Sequence, residues 1–600
     1  MGRGRFLAAT LFAIAAAAVA PSLASAAAPS NCSGEATSAL SVYGLTPAVI
    51  AAHGGTSSSA VNETIKSACA ASGSPAQAAA TALKANGYTA TETINVLKTA
   101  FAQTALQSAG ILKTVGYSAV DVATALAGSF ASTPREAAQI LRTVGFLATE
   151  TAGALATVFS IGGDLVADAE KFAGYAVNEV TAALRDALAL GTDAIAHALA
   201  FATWEIDTIT GALNTVLAAS ADAIGHALKF AGFVAGAVTQ SLKTVLNLTT
   251  NAIAHALAFA GYEIDVITGA LDAVLHVAAS EIAAALKFGG FLADQIAGSL
   301  HTVLGLAERA VATALKFAEF TYTQIGVALK TALGTVARGI ADALDYVGAT
   351  INDLANALNA AIGTLPGPIA DALAFVGYGA QAVAVVLNTV LALEKNVIAA
   401  ALKFADFTID AITAALKNGL ALAEGAIAAA LKFANFAIDA ITTSIKTVLS
   451  LTNEAVAAAL KFADFTIGQI ATALKTALNL AEGAVAAALK FANYTIDAIA
   501  STIQTVYSIG AQAVAAALKF AQFTINAIAD VLKNVFNVAA KEAAEMLQAI
   551  GFAIDQIVGA LQTAFGMALD AIDDLFESIG GAFQDFIDDL GEAWCDFWGC

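Results

Sequence analysis

Four cysteines are the first residues in this chain that could do chemistry, and they lie close to its two ends. Cys32 and Cys69 stand near the N-terminus, and Cys595 and Cys600 stand at the C-terminus. An even number of cysteines in an exported chain favours disulfides. We therefore predict one disulfide at each end. Four free thiols, or an intermolecular bridge through Cys595 and Cys600, are the alternatives.

Three histidines stand in one column of the sequence, since His197, His226 and His255 are separated by 29 residues each. If each belongs to one unit of a stacked array, neighbouring imidazoles lie roughly 10 Å apart. The ligands of a single zinc ion lie about 2 Å from the metal. The column therefore indicates duplication of a sequence unit, and we predict no metal site there.

Lysines also recur in columns, as Lys84, Lys113, Lys403 and Lys432 illustrate. Each follows a leucine near the end of a predicted helix, where a cation interacts favourably with the helix dipole. We interpret these lysines as solvated helix-terminal charges. The alternative is a basic stripe that binds an anionic polymer.

Carboxylates accumulate at the C-terminus, with twelve between Glu542 and Asp596 and no basic residue after Lys541. The region lacks the spaced aspartates and closing glutamate of a calcium loop, so we interpret it as a solubilising end. The chain also contains no HExxH, GxSxG, P-loop or GxGxxG motif. We therefore predict a protein that is not an enzyme and that has no cofactor.

The elements that carry these residues repeat every 29 residues from Ala82 onward. The second residue of the unit is leucine in sixteen of eighteen units, as at Leu112, and so is the sixteenth, as at Leu126. The sixth residue is Gly in eleven units, and the seventh is aromatic in sixteen. The repeat-defining pairs at this turn include Gly87 with Tyr88 and Gly116 with Tyr117.

Two turns interrupt each unit. Gly, Asn or Asp in the sixth position tolerates the left-handed backbone that ends a helix. Capping sequences such as Thr104-Ala105-Leu106-Gln107 start the next helix later in the unit. Each unit is therefore predicted to be a helical hairpin, and the chain an all-α protein, an α-solenoid of about eighteen repeats. A single continuous helix is the alternative, because 29 residues are close to eight helical turns.

In general pattern the chain resembles secreted, alanine-rich proteins with tandem LKxxG[FY] helical repeats. Leu112-Lys113-Thr114-Val115-Gly116-Tyr117 is one example of the motif, and the resemblance covers about residues 82–580. It is a resemblance to a class of α-solenoids with many functions, and it implies a binding or scaffolding role by analogy only.

The remaining sequence divides the chain into four parts. Residues 1–26 have the basic start, apolar stretch and small-residue cleavage site of a signal peptide. Residues 27–81 are predicted to form an N-terminal helical cap, and 82–574 the repeats, with a bend near 363–368 where Pro366 and Pro368 occur. Residues 575–600 are predicted to form an acidic and aromatic C-terminal cap.

Low charge is the most unusual property of the repeats. Charged residues make up 13% of the chain and the net charge is −20, which excludes nucleic acid as a partner. The 22 residues from Ala372 to Leu393 carry no charge. We interpret them as one more repeat with an apolar surface, although their length would also suit a membrane span.

These observations predict a secreted or cell-envelope protein that acts as a structural or interaction scaffold. Its partners are expected to be proteins, or further copies of the chain that associate along the solenoid. The alternative is a surface-active protein that binds lipid or another apolar ligand through its low-charge helical faces. A membrane-inserting or pore-forming protein is a third hypothesis.

Overall fold

The computed structural model describes residues 73–579 and, before them, residues 63, 65–67, 69 and 70. Every regular element in this part of the chain is a helix. The prediction of an all-α solenoid is confirmed, and the alternative of one continuous helix is excluded, because no α-helix there is longer than 12 residues. The predicted signal peptide, Cys32, Cys595, Cys600 and the residues after Ile579 lie outside the described residues.

Each repeat contributes two antiparallel helices, which we call helix A and helix B. The chain forms two compact units, and the residues of Ala293–Leu304 are divided between them. In the first unit the A helices are Pro75–Ala85, Ala105–Val115, Pro134–Thr143, Gly163–Ala173, Thr192–Phe201, Ala221–Phe230, Thr250–Phe259 and Ala279–Phe288. The B helices of this unit are Ala90–Ala100, Ala119–Phe130, Ala148–Phe159, Val177–Asp186, Ile206–Leu217, Ala235–Thr244 and Ile264–Ala270, the last continued by a π-helical turn, Leu271–Leu275.

The second unit repeats the same arrangement. Its A helices are Glu308–Phe317, Ala337–Tyr346, Pro366–Phe375, Lys395–Phe404, Glu424–Phe433, Asn453–Phe462, Glu482–Phe491, Ala511–Phe520, Ala540–Ala549 and Leu569–Glu577. Its B helices are Tyr322–Leu333, Ile351–Ile362, Ala380–Thr389, Ile409–Ala414 with the π turn Ala415–Gly419, Ile438–Val448, Ile467–Leu478, Ile496–Tyr507, Ile525–Asn534 and Ile554–Ala560 with the π turn Leu561–Phe565.

The helices begin where the sequence places capping residues. The Thr104 hydroxyl accepts a hydrogen bond from the backbone N–H of Gln107, and the Gln107 amide oxygen accepts one from the Thr104 N–H. Ser118 and Asp121 form the same reciprocal pair at the next helix. Each pair satisfies two N–H groups that have no partner inside the helix.

Helix A ends at the predicted left-handed residue. Gly116 has φ of +95°, and its N–H bonds back to the carbonyl of Leu112. Where Gly is absent, Asn435 and Asp464 take the same conformation with φ of +63° and +56°. Helix B ends at a second left-handed residue, and here the residue types vary: Ala131, Ser160, His276 and Asn479 all have positive φ.

The core is built from alanine and leucine. In helix A of a typical repeat, Val485, Ala486, Ala488 and Leu489 are buried, whereas Ala484 and Ala487 are partly exposed. Within each unit, A helices pack on the A helices of adjacent repeats, as Gly163–Ala173 does on Pro134–Thr143, and B helices pack on neighbouring B helices. Within each unit the A helices form one layer and the B helices a second layer, and this core lies between them. Its small side chains let the helices approach closely. The outer faces of the layers therefore point away from each other.

Two segments that the sequence singles out also form ordinary repeats. In the 363–368 segment, Gly363 has φ of +76° and helix A begins at Pro366, in step with its neighbours. The uncharged stretch from Ala372 to Leu393 is shared between helices Pro366–Phe375 and Ala380–Thr389. None of the helices that the structure describes has the length and apolar character needed to span a bilayer.

Candidate functional site on the outer face of the A helices

Helix A ends in an aromatic residue that remains exposed in repeat after repeat. These side chains are between 51% exposed, at Phe201, and 67% exposed, at Phe462 and Phe520. We call them the aromatic surface: Phe172, Phe201, Phe230, Phe259 and Phe288 in the first unit, and Phe317, Tyr346, Phe375, Phe404, Phe433, Phe462, Phe491 and Phe520 in the second. Large apolar side chains exposed at this regularity distinguish a surface built for contact from scattered apolar residues.

Several of these rings lie across helix A of the preceding repeat in the same unit. The ring of Phe462 rests on Gly425, where a Cβ atom would come within 2.6 Å of its Cγ. Phe404 rests on Gly367 and Phe520 on Gly483 in the same way, with corresponding distances of 2.8 Å. Glycine at this position in the preceding helix therefore leaves room for the ring.

Charged pairs flank the rings in some repeats. The Arg135 guanidinium donates hydrogen bonds of 2.6 and 2.7 Å to the Asp168 carboxylate, 33 residues later, and lies 5.5 Å from the centre of the Phe172 ring. The hydrogen bonds that Arg135 donates to the Asp168 carboxylate raise the pKa of Arg135. Arg309 with Asp342, and Arg338 with Asp371, repeat this arrangement in the second unit.

In three repeats of the first unit, aspartate–histidine pairs occupy the two columns that hold the arginine–aspartate pairs elsewhere. The Nδ1 atoms of His197, His226 and His255 lie 3.0 to 3.1 Å from Asp164, Asp193 and Asp222 of the preceding repeat. Each imidazole also meets the phenylalanine of the following repeat edge-on, at 5.8 to 6.4 Å between ring centres. Within the part of the chain that the structure describes, no three His, Cys, Asp or Glu side chains group as metal ligands would.

The A helices between Lys395 and Phe520 differ, because alanine occupies the histidine column there and these pairs are not formed. The residues that correspond to the histidines are Ala400, Ala429, Ala458, Ala487 and Ala516. All five repeats end in an exposed phenylalanine. We call the outer face of these five A helices the uncharged patch, since the charges of its helices are confined to their first turns and to one lysine in each last turn.

The outer face of the B helices is polar. Exposed threonines recur near the end of helix B, for example Thr447, Thr476 and Thr505, and each donates a hydrogen bond to the carbonyl four residues before it. Aspartates recur near the start of the helix, and the Thr476 hydroxyl lies 3.1 Å from the Asp439 carboxylate. The two outer faces of the second unit are therefore chemically different, one aromatic and one rich in hydroxyl and carboxyl groups.

The lysine columns have a structural explanation that the sequence did not reveal. The Lys432 ammonium donates hydrogen bonds to the carbonyls of Ala463 and Asp464, 31 and 32 residues later, and lies 4.6 Å from the centre of the Phe465 ring. These carbonyls end helix A of the next repeat, where a cation is favourable. The lysines therefore join successive repeats and are not merely solvated charges.

The predicted repeat-defining residues lie at these same junctions. Leu112 and Leu126 are fully buried, and Gly87 and Gly116 have positive φ. Tyr88 and Tyr117 are also buried, and the Tyr117 hydroxyl donates a 2.7 Å hydrogen bond to the Tyr88 carbonyl. Their role is to hold one repeat against the next.

The N-terminal cysteine that the structure describes, Cys69, is buried against Ile65, Ala79 and Leu83. Its predicted partner, Cys32, lies outside the described residues, so this disulfide stays a prediction. The predicted bond between Cys595 and Cys600 concerns residues that also lie outside them.

One buried residue breaks the repeat rule. Glu170 occupies the column of Leu112 and Leu199 and is fully buried, and neither of its carboxyl oxygens has a hydrogen-bond partner in the described part of the chain. Burial, with a smaller contribution from the Glu179 carboxylate, raises the pKa of Glu170 to about 9. The carboxyl is therefore neutral at pH 7.

The aromatic surface was not among the residues that the sequence analysis selected. A signal was present, because phenylalanine follows lysine near the end of nine A helices, from Lys171-Phe172 to Lys519-Phe520. Sequence alone did not separate these exposed rings from the aromatic column at the following turn, where Tyr117 is buried and Tyr175 is also buried.

The chain matches no protein-family model, and no curated protein matches it significantly.

Proposed function

We propose that this chain is a non-enzymatic structural or interaction scaffold whose binding face is the aromatic surface. The observation that carries the proposal is the exposure of one large aromatic side chain in each A helix from Phe172 to Phe288 and again from Phe317 to Phe520. Aromatic side chains dominate the energetics of protein interfaces because each can bury a large apolar area. A repeat array multiplies that contact along its length.

In this proposal the N-terminal sequence directs the protein out of the cytoplasm. Residues 1–26 direct export as a cleaved signal peptide, and disulfides Cys32–Cys69 and Cys595–Cys600 fasten the two ends in the oxidising environment outside the cell. The protein is thus a secreted or envelope component. It uses no cofactor.

A second candidate function is the binding of lipid or another apolar ligand. The observation that favours it is the uncharged patch, where exposed rings such as Phe433 and Phe491 stand beside alanines. The acidic character of the chain opposes attraction to anionic lipid, because membrane-binding amphipathic helices are usually rich in Lys and Arg.

Vesicle flotation separates the two functions. The exported, full-length protein is purified without detergent and mixed with zwitterionic vesicles, or with vesicles that contain anionic lipid. A scaffold stays at the bottom of the gradient with both kinds of vesicle. Flotation that is lost in the Phe433→Gln/Phe491→Gln variant contradicts the scaffold and supports lipid binding.

A further inference from the structure

We propose that a second copy of this chain covers the uncharged patch, packing antiparallel so that the phenylalanine rings of the two copies interleave. The inference rests on the proposed function, since it names the partner of the aromatic surface. Four observations carry it: the area of the patch, the placement of charge, the engagement of the lysines and the spacing of the rings.

The area of the patch is larger than an isolated protein ordinarily leaves uncovered. Its five phenylalanines, Phe404, Phe433, Phe462, Phe491 and Phe520, are about three-fifths exposed. At ~200 Å² for a whole side chain, they expose ~600 Å² together. The partly exposed alanines between them bring the total toward the ~800 Å² that each partner contributes to a stable interface.

Charge favours a second copy over an anionic partner surface. The aspartates of the B helices, such as Asp410, Asp439 and Asp497, belong to the other layer. The A helices of the patch carry glutamates only in their first turns, at Glu424, Glu454 and Glu482. If two copies meet through their uncharged patches, their acidic faces point outward into solvent. Repulsion between two chains of net charge −20 is smallest in this arrangement.

The lysines of the patch already make hydrogen bonds within the chain. Lys403, Lys461 and Lys490 donate to backbone carbonyls of the next repeat, at 2.7 to 2.9 Å. Their ammonium groups therefore serve the junctions between repeats and do not form a cationic rim for phosphate headgroups.

The spacing of the rings selects a partner with the same period. Adjacent packed helices lie roughly 10 Å apart, so successive rings of the patch are separated by about that distance. A partner ring placed midway lies about 5 Å from each neighbour, within the range that aromatic pairs prefer. A second copy supplies rings at the required interval along the whole patch.

The interleaving also fixes the orientation. If the two-fold axis ran parallel to the row of rings, each ring would face the same ring of the second copy, and the two rings would collide. A two-fold axis across the row, displaced from the rings, reverses one copy and brings Phe404 close to the partner's Phe520. Such a symmetric contact is closed, so association stops at the dimer.

Sedimentation of the full-length chain tests the proposal. We expect a concentration-dependent dimer, and we expect Phe433→Gln/Phe462→Gln/Phe491→Gln to raise its dissociation constant by at least ~100-fold. The matched control, Leu147→Gln/Val234→Gln/Val336→Gln, removes three exposed apolar side chains that lie outside the aromatic surface, and we expect a change below ~3-fold. Circular dichroism verifies that both variants keep the helix content of the parent chain.

Crosslinking tests the orientation. A mixture of the Phe404→Cys and Phe520→Cys variants, treated with a short bismaleimide, should give a crosslink between these two positions, identified by mass spectrometry of the joined peptides. A crosslink of position 404 to position 404 overturns the antiparallel arrangement. The native cysteines are distinguished by their own peptides.

Other outcomes overturn the dimer itself. A chain that remains monomeric to ~100 µM and does not float with vesicles refutes the self-association but leaves the scaffold with a different protein partner. A dimer that the triple patch variant leaves unchanged also refutes it. Flotation of the chain, lost in the triple patch variant, identifies lipid as the occupant and contradicts the proposed function as well.

Discussion

The ammonium nitrogen of Lys461 lies 2.7 Å from the carbonyl oxygen of Ala492, the residue that follows helix A of the next repeat. The same ammonium donates to the Asn493 carbonyl at 2.9 Å and stands 4.3 Å from the centre of the Tyr494 ring. One side chain thus caps the neighbouring helix and packs on its aromatic turn. This relationship recurs in both units and explains why lysine follows the leucine column.

Lys461→Met should loosen the junction that this lysine makes. The variant keeps an apolar side chain but leaves the carbonyls of Ala492 and Asn493 without their donor. We expect a loss of about 1–2 kcal/mol in the local stability of helix Glu482–Phe491. Hydrogen exchange of peptides that cover residues 480–495, followed by mass spectrometry, measures it.

Lys395→Met is the control for this substitution. Lys395 is exposed at the first residue of its helix, where a positive charge opposes the helix dipole. Removing it should leave stability unchanged or raise it slightly. Equal losses in the two lysine variants would contradict the proposed role of Lys461.

Glu170 should make the first unit less stable as the pH rises. Its pKa is about 9 in the folded chain and 4.5 ordinarily, so the folded state holds a proton that the unfolded state releases. Below pH 4.5 both states are protonated and the carboxyl causes no loss of this kind. Between pH 4.5 and 7 the folded state loses roughly 3 kcal/mol, and the loss continues toward pH 9.

Glu170→Leu restores the column residue and should remove this pH dependence. Hydrogen exchange of residues 163–175 at several pH values, corrected for the intrinsic exchange rate, compares the variant with the parent chain. The variant should be more protected than the parent at pH 8, and its advantage should be smallest below pH 4.5. A parent chain whose protection does not fall with rising pH would refute the assignment.

Tyr117→Phe should weaken the contact between the first repeats. The buried Tyr117 hydroxyl donates to the Tyr88 carbonyl at 2.7 Å and lies 2.9 Å from the Thr93 hydroxyl. Its removal leaves both groups buried without this partner, at a cost of about 1–2 kcal/mol. Exchange of the amides of helix Ala90–Ala100 reports the change.

Tyr346→Phe provides the comparison, because the Tyr346 side chain is largely exposed. Loss of a hydroxyl that water can solvate should change stability by less than about 0.5 kcal/mol. If the two tyrosine variants behave alike, the hydrogen bond of Tyr117 contributes little.

Substitution by alanine should have opposite effects on stability at two glycines. At Gly468, in helix Ile467–Leu478, an added Cβ meets no atom within 4 Å, so Gly468→Ala should stabilise the helix by about 0.5–1 kcal/mol. At Gly425 the Cβ would come within 2.6 Å of the Phe462 ring, so Gly425→Ala must displace that ring. Urea unfolding monitored by circular dichroism should show a gain for the first variant only. A matching gain for Gly425→Ala would show that the Phe462 ring moves freely.

Much of the fold was predictable because it depends on local chemistry. Capping pairs such as Thr104 with Gln107, and left-handed residues such as Gly116 and Asn435, act within a few positions in the sequence. The second turn was predictable only from its caps. Its left-handed residue is Ala131 in one repeat and Ser160 in the next, and neither residue type favours that conformation. The packing of adjacent repeats holds the backbone there.

The candidate site was not predictable in the same way. Phe462 and Phe465 are both aromatic and stand three residues apart, yet Phe462 is 67% exposed and Phe465 is 9% exposed. Their difference depends on which side of helix A faces the neighbouring repeat. Similarly, Lys432 finds its acceptors 31 and 32 residues later, in a different helix.

The sequence by itself determined the 29-residue period, the helical hairpin and the places where helices begin and end, because repetition and capping are properties of neighbouring residues. Only the tertiary structure decided which apolar residues are buried and which lysines join repeats. Alanine and leucine fill the space between closely packed helices, and the phenylalanine at the end of helix A is left outside that space. Burial and contacts across repeats depend on how helices stack, and the chain leaves one face of each A helix uncovered.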